Sequence, residues 1–132
     1  MQTADTATRS FTVTEADTAR VLGSGDLDVL GTPRLLAWCE AVTCAVVASG
    51  LPAGSTTVGT RVQLDHVGAS PVGAEVEVRA SVAYVDGRLV RFEVVARQVP
   101  AEPSPRDAEK VVVHGEITRV VVDRDRFLSR VG

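Results

Sequence analysis

A long apolar stretch with one charged residue in its middle limits what this chain can fold into. The stretch Val29–Gly50 reads VLGTPRLLAWCEAVTCAVVASG, and Glu40 is its only charged residue beyond Leu35. A helix that is hydrophobic on nearly every side is normally enclosed by other structure. A charge on such a helix must be paired, neutralised or functional. The sequence therefore predicts an enclosed central helix in which Glu40 has a specific partner or task.

Residues at both ends of this stretch indicate where the helix starts and stops. Thr32 is a good N-cap residue, and Pro33 suits the first helical position because its missing N–H is not needed there. Gly50 is a suitable stop. We therefore expect the helix to begin just after Thr32 and to end at Gly50.

The chain length and composition favour a single domain that spans residues 1–132, and we expect residues 1–8 to be frayed. The net charge is −3 and no segment concentrates Lys and Arg, which argues against nucleic-acid binding. No apolar run is long enough to span a bilayer, and the polar start does not resemble a signal peptide, so we expect a cytoplasmic protein without membrane association.

The two cysteines, Cys39 and Cys44, are five positions apart on one helix, so their side chains diverge and cannot easily form a disulfide. With only two histidines besides, the chain shows no metal-ligand spacing. We expect buried thiols, no metal ion and no resident cofactor.

Alternating apolar and polar residues predict five strands. A first short strand lies within Arg9–Asp17, and Asp86-Gly87 marks a tight hairpin. The other predicted strands are Thr56–Val67, Glu75–Val85, Leu89–Gln98 and Val111–Val122. One helix can cover only one face of such a sheet. The fold class is therefore α+β, with an antiparallel five-stranded sheet wrapped around one long central helix, which is the hotdog fold; its subunits commonly pair into a homodimer that can pair further into a tetramer.

His66 is the second informative residue. Strand alternation places it on the same face as Val58 and Leu64, toward the helix, while Gly59 points away. A buried imidazole and a carboxylate that converge on one space form an acid/base pair, so His66 and Glu40 are candidate catalytic residues. Two ordinary alternatives remain open: a strand-end histidine is often structural, and a lone glutamate on a helix can simply pair with an arginine.

Thr32 is a third candidate, because its hydroxyl could position a water or attack a carbonyl directly, although threonine caps are routine. Eight residues separate it from Glu40, roughly 12 Å along a helix axis. Either the helix start bends, or the two residues act at different points, or the site combines groups from two subunits.

Glycine inside a strand, as at Gly59, marks a β-bulge or a close approach of backbone to a ligand, where its N–H could serve an oxyanion hole. Arg34, Arg91 and Arg97 could meet a phosphate, although surface arginines on strands are usually just solvated. His114 is best taken as structural.

The chain resembles the hotdog-fold thioesterases of the fluoroacetyl-CoA thioesterase-like family. The resemblance runs from about Phe11 to Val131 and rests on VLGTPRLLAWCEAV, TTVGTRVQLDHVGASPVGAEV, VDGRLVRFEVVAR and VVVDRDRFL. Such proteins carry a threonine at the helix start, a glutamate eight residues later and a histidine at the end of the second strand. These fall on Thr32, Glu40 and His66, and the family's strand glycine falls on Gly59.

The resemblance implies hydrolysis of a small or medium acyl-CoA thioester, with coenzyme A as part of the substrate. Thr32, Glu40 and His66 would be catalytic, in roles that stay open, and Gly59 and Val58 would bind substrate. The segment GSGDLDV ahead of Thr32 lacks the bulky lid residues of the fluoroacetyl-specific type, so we expect a different acyl group. A non-catalytic acyl-CoA or small-ligand binding module is the alternative, and a dehydratase on the same fold is disfavoured because no Asp-to-His pair shares one loop.

Overall fold

A five-stranded antiparallel sheet covers one long helix in the computed structural model, which describes residues 1–101 and 110–132. The strands are β1 (Thr6–Thr12), β2 (Ser55–His66), β3 (Glu75–Asp86), β4 (Leu89–Val99) and β5 (Lys110–Asp123). The helices are α1 (Ala19–Leu22), α2 (Thr32–Val47) and α3 (Arg124–Leu128), with 3-10 turns at Glu15–Asp17 and Ala48–Gly50. The strand order is β1-β3-β4-β5-β2, and all neighbours are antiparallel. The predicted hotdog arrangement is confirmed.

The core forms where α2 lies against the sheet. Its buried residues recur at helical spacing and are Leu35, Cys39, Val42, Thr43 and Val47. The strands contribute alternate residues, as the sequence pattern predicts. On β3 and β4 these are Val76, Val78, Ala80, Val82, Val90, Phe92, Val94 and Ala96, all of which are buried. Contacts of α2 with β1, β2, β3 and β4 explain why this helix carries so little polar surface.

The start of α2 differs from the prediction. The N-cap is Gly31 rather than Thr32, and Pro33 occupies the second helical position. Gly31 is needed because a Cβ there would lie 3.0 Å from Leu22 Cδ1 and 3.2 Å from the Ala19 backbone, so α1 packs directly against the cap. The Thr32 hydroxyl is therefore not used as a cap and is available for another contact. The stop is confirmed in outline, because the α-helix ends at Val47 and a 3-10 turn continues to Gly50.

The first strand begins earlier than expected. Thr6 pairs with Ser81 and Thr12 pairs with Glu75, so three of the eight residues expected to be frayed belong to β1. The pattern of side chains missed them because an edge strand can be held by its backbone ladder to β3 without a fully apolar face.

Two bulges change which face a side chain occupies. The β2–β5 register shifts between Gly59 and Arg61, and the β3–β4 register shifts between Val82 and Tyr84. A bulge adds one residue and reverses the alternation beyond it. Simple alternation from Val82 predicts Tyr84 on the apolar face, but Tyr84 lies beyond the bulge and is exposed. It stacks with Arg91, whose guanidinium carbon lies 5.2 Å from the ring centroid.

The connections follow the predictions where they can be compared. Asp86 and Leu89 end the hairpin strands, and Gly87 between them has the left-handed φ of 58°. The sequence DRDRFLSR after the last strand indicates a helical turn, and the structure has α3 there. The sequence VPAEPSPRDAEK indicates a polar, proline-rich loop between the last two strands, and most of it falls on residues 102–109, outside the described residues. Among the described residues no helix is both long enough and apolar enough to cross a membrane.

Replacing Phe92 by alanine tests the core. Phe92 is fully buried beneath α2, so Phe92→Ala should lower the free energy of unfolding by about 3–5 kcal/mol in urea denaturation. Tyr84→Ala is the control: it removes an exposed ring and one cation–π contact, and should cost no more than about 1 kcal/mol. Equal losses for the two variants would contradict the assignment of faces.

Candidate active site

Thr32 and His66 form the first polar pair of the site. Thr32 Oγ1 lies 2.7 Å from His66 Nδ1, joining the first residue of α2 to the last residue of β2. His66 is half-buried, and its Nε2 is buried without a hydrogen-bond partner among the described residues. If Nδ1 accepts the hydroxyl proton, His66 can serve as a base toward Thr32; in the other tautomer Nε2 offers a free lone pair. Either arrangement leaves the imidazole equipped for proton transfer.

Glu40 and Arg119 form the second pair, one residue from α2 and the other from β5. Arg119 Nη1 donates to Glu40 Oε2 at 3.0 Å. The same guanidinium donates from Nε to Thr57 Oγ1 at 2.9 Å and from Nη2 to the Thr57 carbonyl oxygen at 3.0 Å. Arg119 is only 7% exposed, whereas the Glu40 side chain is 36% exposed. Because a buried arginine needs partners for its donors, this network explains how a charged glutamate is tolerated on an apolar helix.

Gly59 lies against this second pair. A Cβ on Gly59 would be 2.7 Å from Glu40 Oε2 and 3.3 Å from Arg119 Nη1. A side chain there would push the Glu40 carboxylate away from its present position against Arg119, so the glycine allows this geometry. The register shift beside it confirms the bulge, and the prediction that Gly59 points away from the helix is wrong. The bulge reverses the alternation, so that Gly59 before it and His66 after it both face α2.

Val58, the other predicted substrate-binding residue, is half-buried and pairs with Val120 of β5. The inward contacts are made by its two neighbours, Thr57 through Arg119 and Gly59 beside Glu40. Its predicted place on the helix-facing side is therefore wrong, because the alternation was extended through the bulge.

Within one chain the structure brings the candidates together in two groups. Thr32 joins His66, and Glu40 joins Gly59 and Arg119. Because α2 is an uninterrupted α-helix from Thr32 to Val47, the separation of roughly 12 Å between Thr32 and Glu40 along its axis remains. A bend at the helix start does not join the two groups.

Arg119 is the functional residue that sequence reasoning missed. The alternative that Glu40 pairs with an arginine was correct, but the partner was not identified. A signal existed: Arg119 is two residues after buried Ile117 and two before partly buried Val121, so strand alternation places it on the core side. Two of the arginines considered for phosphate binding already have protein partners. Arg34 Nε lies 3.0 Å from Asp17 Oδ1, and the Arg91 guanidinium stacks on the Tyr84 ring.

Cys39 follows Leu35 by one turn on the buried side of α2 and precedes Glu40 in sequence. Burial, reinforced by the negative charge of Glu40, raises the pKa of the Cys39 thiol to about 12. A thiol needs its ionised form to act as a nucleophile, so Cys39 is inert at neutral pH. This agrees with the prediction of a packing role, and both cysteines are free.

Comparison with known proteins identifies the family. Residues 13–125 match the family model described as FlK, fluoroacetyl-CoA-specific thioesterase. The chain belongs to this family. No curated protein matches the chain significantly in sequence.

Solved structures with the same fold superpose closely on this chain. The fluoroacetyl-CoA thioesterase FlK is 24% identical with a TM-score of 0.83, covering 98% of this chain and 94% of its own. A variant of FlK in complex with fluoroacetate and CoA is 24% identical with a TM-score of 0.82, covering 96% and 99%. A Thermus thermophilus protein described as a thioesterase superfamily member is 19% identical with a TM-score of 0.84, covering 97% and 88%. These likenesses show the fold, and the family model shows the membership.

The ion pair can be tested by a double-mutant cycle. Arg119→Met leaves the Glu40 carboxylate without its partner, and we expect the free energy of unfolding to fall by about 2 kcal/mol, less than for a fully buried pair because Glu40 is partly exposed. Glu40→Gln in that background should restore part of the loss. Urea denaturation of both single variants and the double variant gives the coupling. Additive effects would show that the two side chains do not interact.

Proposed function

We propose that this protein is an acyl-CoA thioesterase that hydrolyses a small or medium acyl-CoA to the free acid and coenzyme A. Its family is one of thioesterases, which supports the reaction class. The observation that carries the proposal for this chain is the hydrogen bond between Thr32 Oγ1 and His66 Nδ1. A hydroxyl in contact with an imidazole is the arrangement that activates an oxygen nucleophile.

In the proposed first step Thr32 Oγ1 attacks the thioester carbonyl carbon while its proton passes to His66 Nδ1. The carbon–sulfur bond then breaks, and His66 returns the proton to the departing sulfur of coenzyme A. Thr32 is left carrying the acyl group as an ester. The start of α2 suits this step, because the helix dipole gives its N-terminus a partial positive charge that favours developing negative charge.

In the proposed second step Glu40 takes a proton from the water that attacks the acyl-Thr32 ester, and that proton then returns to Thr32 Oγ1 as the acid leaves. Arg119 holds Glu40 through Oε2, while Oε1 makes no hydrogen bond to the described residues. One carboxylate oxygen is thus fixed and the other is free to contact water. This division needs no metal ion.

The second step requires Glu40 near Thr32, and a homodimer supplies it. β2 is the last strand of the sheet and pairs only with β5 among the described residues, so its other edge is open to a second copy. Antiparallel pairing of the two β2 edges in the register that sets His66 opposite the partner's Gly59 brings His66 close to the partner's Glu40, whose carboxylate lies against that glycine. The Thr32–His66 pair of one subunit would then face the Glu40–Arg119 pair of the other.

The segment ahead of α2 supports a substrate other than fluoroacetyl-CoA. Residues 23–29 are mostly polar residues and glycine; their two larger apolar side chains are Leu27, which is 65% exposed, and Val29, so this segment carries no bulky aromatic side chain. A thioesterase screen from acetyl- to long-chain and aromatic acyl-CoAs, read by thiol release, should give its best rate with a small or medium group. Binding of acyl-CoA without thiol release from any of them would favour the non-catalytic module.

Trapping of the acyl-enzyme tests the two steps. Glu40→Gln should slow turnover by at least roughly a hundredfold while a stoichiometric burst of coenzyme A appears, since only the second step is blocked. Mass spectrometry should find the acyl group on Thr32. Thr32→Ala should show neither burst nor acylated protein. A burst from Thr32→Ala would mean that another residue is the nucleophile.

Mixing of inactive variants tests the shared site. Thr32→Ala and Glu40→Gln proteins, unfolded together and refolded, should recover about a quarter of wild-type activity, because half of the dimers are mixed and each has one intact site of two. Each variant refolded alone is the control. If all groups of the site came from one chain, the mixture would stay inactive.

A further inference from the structure

Three arginines surround a surface cavity at the far end of the sheet from His66. Arg88 comes from the β3–β4 hairpin, and Arg126 and Arg130 come from α3 and the residues after it. We call these three residues the arginine cluster. The cavity has a volume of about 260 Å³, and Val122, Asp123 and Phe127 complete its lining.

The side chains of the arginine cluster have no partner among the residues that the structure describes. All three side chains are exposed, and no described residue forms an ion pair or hydrogen bond with their guanidinium groups. The carboxylate that shares the cavity, Asp123, already accepts a hydrogen bond from the Arg126 backbone N–H at 2.9 Å as the cap of α3. Three positive charges against one negative charge make the cavity suited to a ligand with phosphate groups, which arginine binds with paired hydrogen bonds.

The cavity continues toward the proposed active site. A second cavity of about 330 Å³ shares Arg88, Val122 and Asp123 with the first. Its lining includes Val121, two residues after Arg119, and Ser55, four residues before Gly59. Four residues of strand span roughly 13 Å. A ligand with an extended arm could therefore reach from the arginine cluster to the Glu40–Arg119 pair.

Phe127 adds an aromatic surface. Its side chain is 41% exposed and lies between Arg126 and Arg130 in the lining. An exposed ring beside arginines can stack on a nucleotide base while the arginines hold its phosphates. A phosphate alone would make no use of this ring.

We infer that the arginine cluster and Phe127 bind the 3′-phosphorylated ADP end of coenzyme A, while the pantetheine arm runs past Ser55 and Val121 to the thioester. This inference rests on the proposed function and names the residues that hold its substrate. In this inference the arginine cluster and Phe127 increase the affinity for the substrate but take no part in the proton transfers.

Kinetics on two substrates test the inference. In the double variant Arg126→Gln/Arg130→Gln, KM for the best acyl-CoA should rise about tenfold with kcat unchanged, since charge-assisted bonds to phosphate are lost. The same acyl group on pantetheine, which has no nucleotide, should be hydrolysed equally well by the variant and the wild type. Arg9→Gln, an exposed arginine on β1 at the opposite edge of the sheet, is the matched control and should change neither.

Calorimetry tests the same site without catalysis. Adenosine 3′,5′-bisphosphate should bind the wild-type protein and lose about tenfold in affinity in the double variant. Phe127→Leu should weaken this nucleotide several-fold but leave the binding of inorganic diphosphate unchanged. If diphosphate and the nucleotide bound equally and neither responded to Phe127→Leu, the cluster would be a general phosphate site and the inference about the nucleotide would be overturned.

The outcomes separate the two proposals. Hydrolysis of acyl-CoA and acyl-pantetheine with equal KM would overturn the nucleotide site and leave the thioesterase intact. Binding of the bisphosphate that depends on the arginine cluster, in a protein that hydrolyses neither substrate, would support the site and overturn the proposed function. An unchanged KM for acyl-CoA in the double variant would overturn the inference directly.

Discussion

The ion pair between Glu40 and Arg119 is the interaction on which the rest of the architecture depends. It pairs a charge on an enclosed helix with an arginine on an interior strand of the sheet, while Thr57 accepts hydrogen bonds from Nε and Nη2 of the same guanidinium. The network thereby ties α2, β5 and β2 together at one point. It also favours glycine at position 59, since the carboxylate occupies the space that a side chain would take. A charge pair that is largely withdrawn from water seldom adds much net stability, so its value here is that it fixes one arrangement.

Much of the fold could be predicted because the core faces of β3 and β4 alternate cleanly. Val90, Phe92 and Ala96 read directly as inward residues, and all are buried. The helix was recognisable from its lack of charge. Its cap was not, because the choice between Gly31 and Thr32 depends on how closely α1 approaches, and that distance is a tertiary property.

The candidate site was predictable in part. Thr32 and His66 are in contact as a pair, whereas the predicted convergence of His66 and Glu40 does not occur within one chain. Arg119 was hidden because a charged residue near the end of an apolar strand resembles a solvated one. Its position two residues after buried Ile117 indicates the core side of the strand. The sequence alone does not show that Glu40 is its partner there. The homodimer and the cytoplasmic location stay predictions.

The bulge in β2 determines how many residues must separate the site residues in the sequence. Gly59 and His66 are seven positions apart, an odd spacing, and in a regular strand one of them would point to the core and the other to solvent. The added residue between Gly59 and Arg61 corrects this parity, so both face α2. A relative that lost a single residue there would keep every side chain of the motif and still present half of it to the wrong side of the sheet. The spacing between these residues, as much as their identity, therefore belongs to the signature of the site.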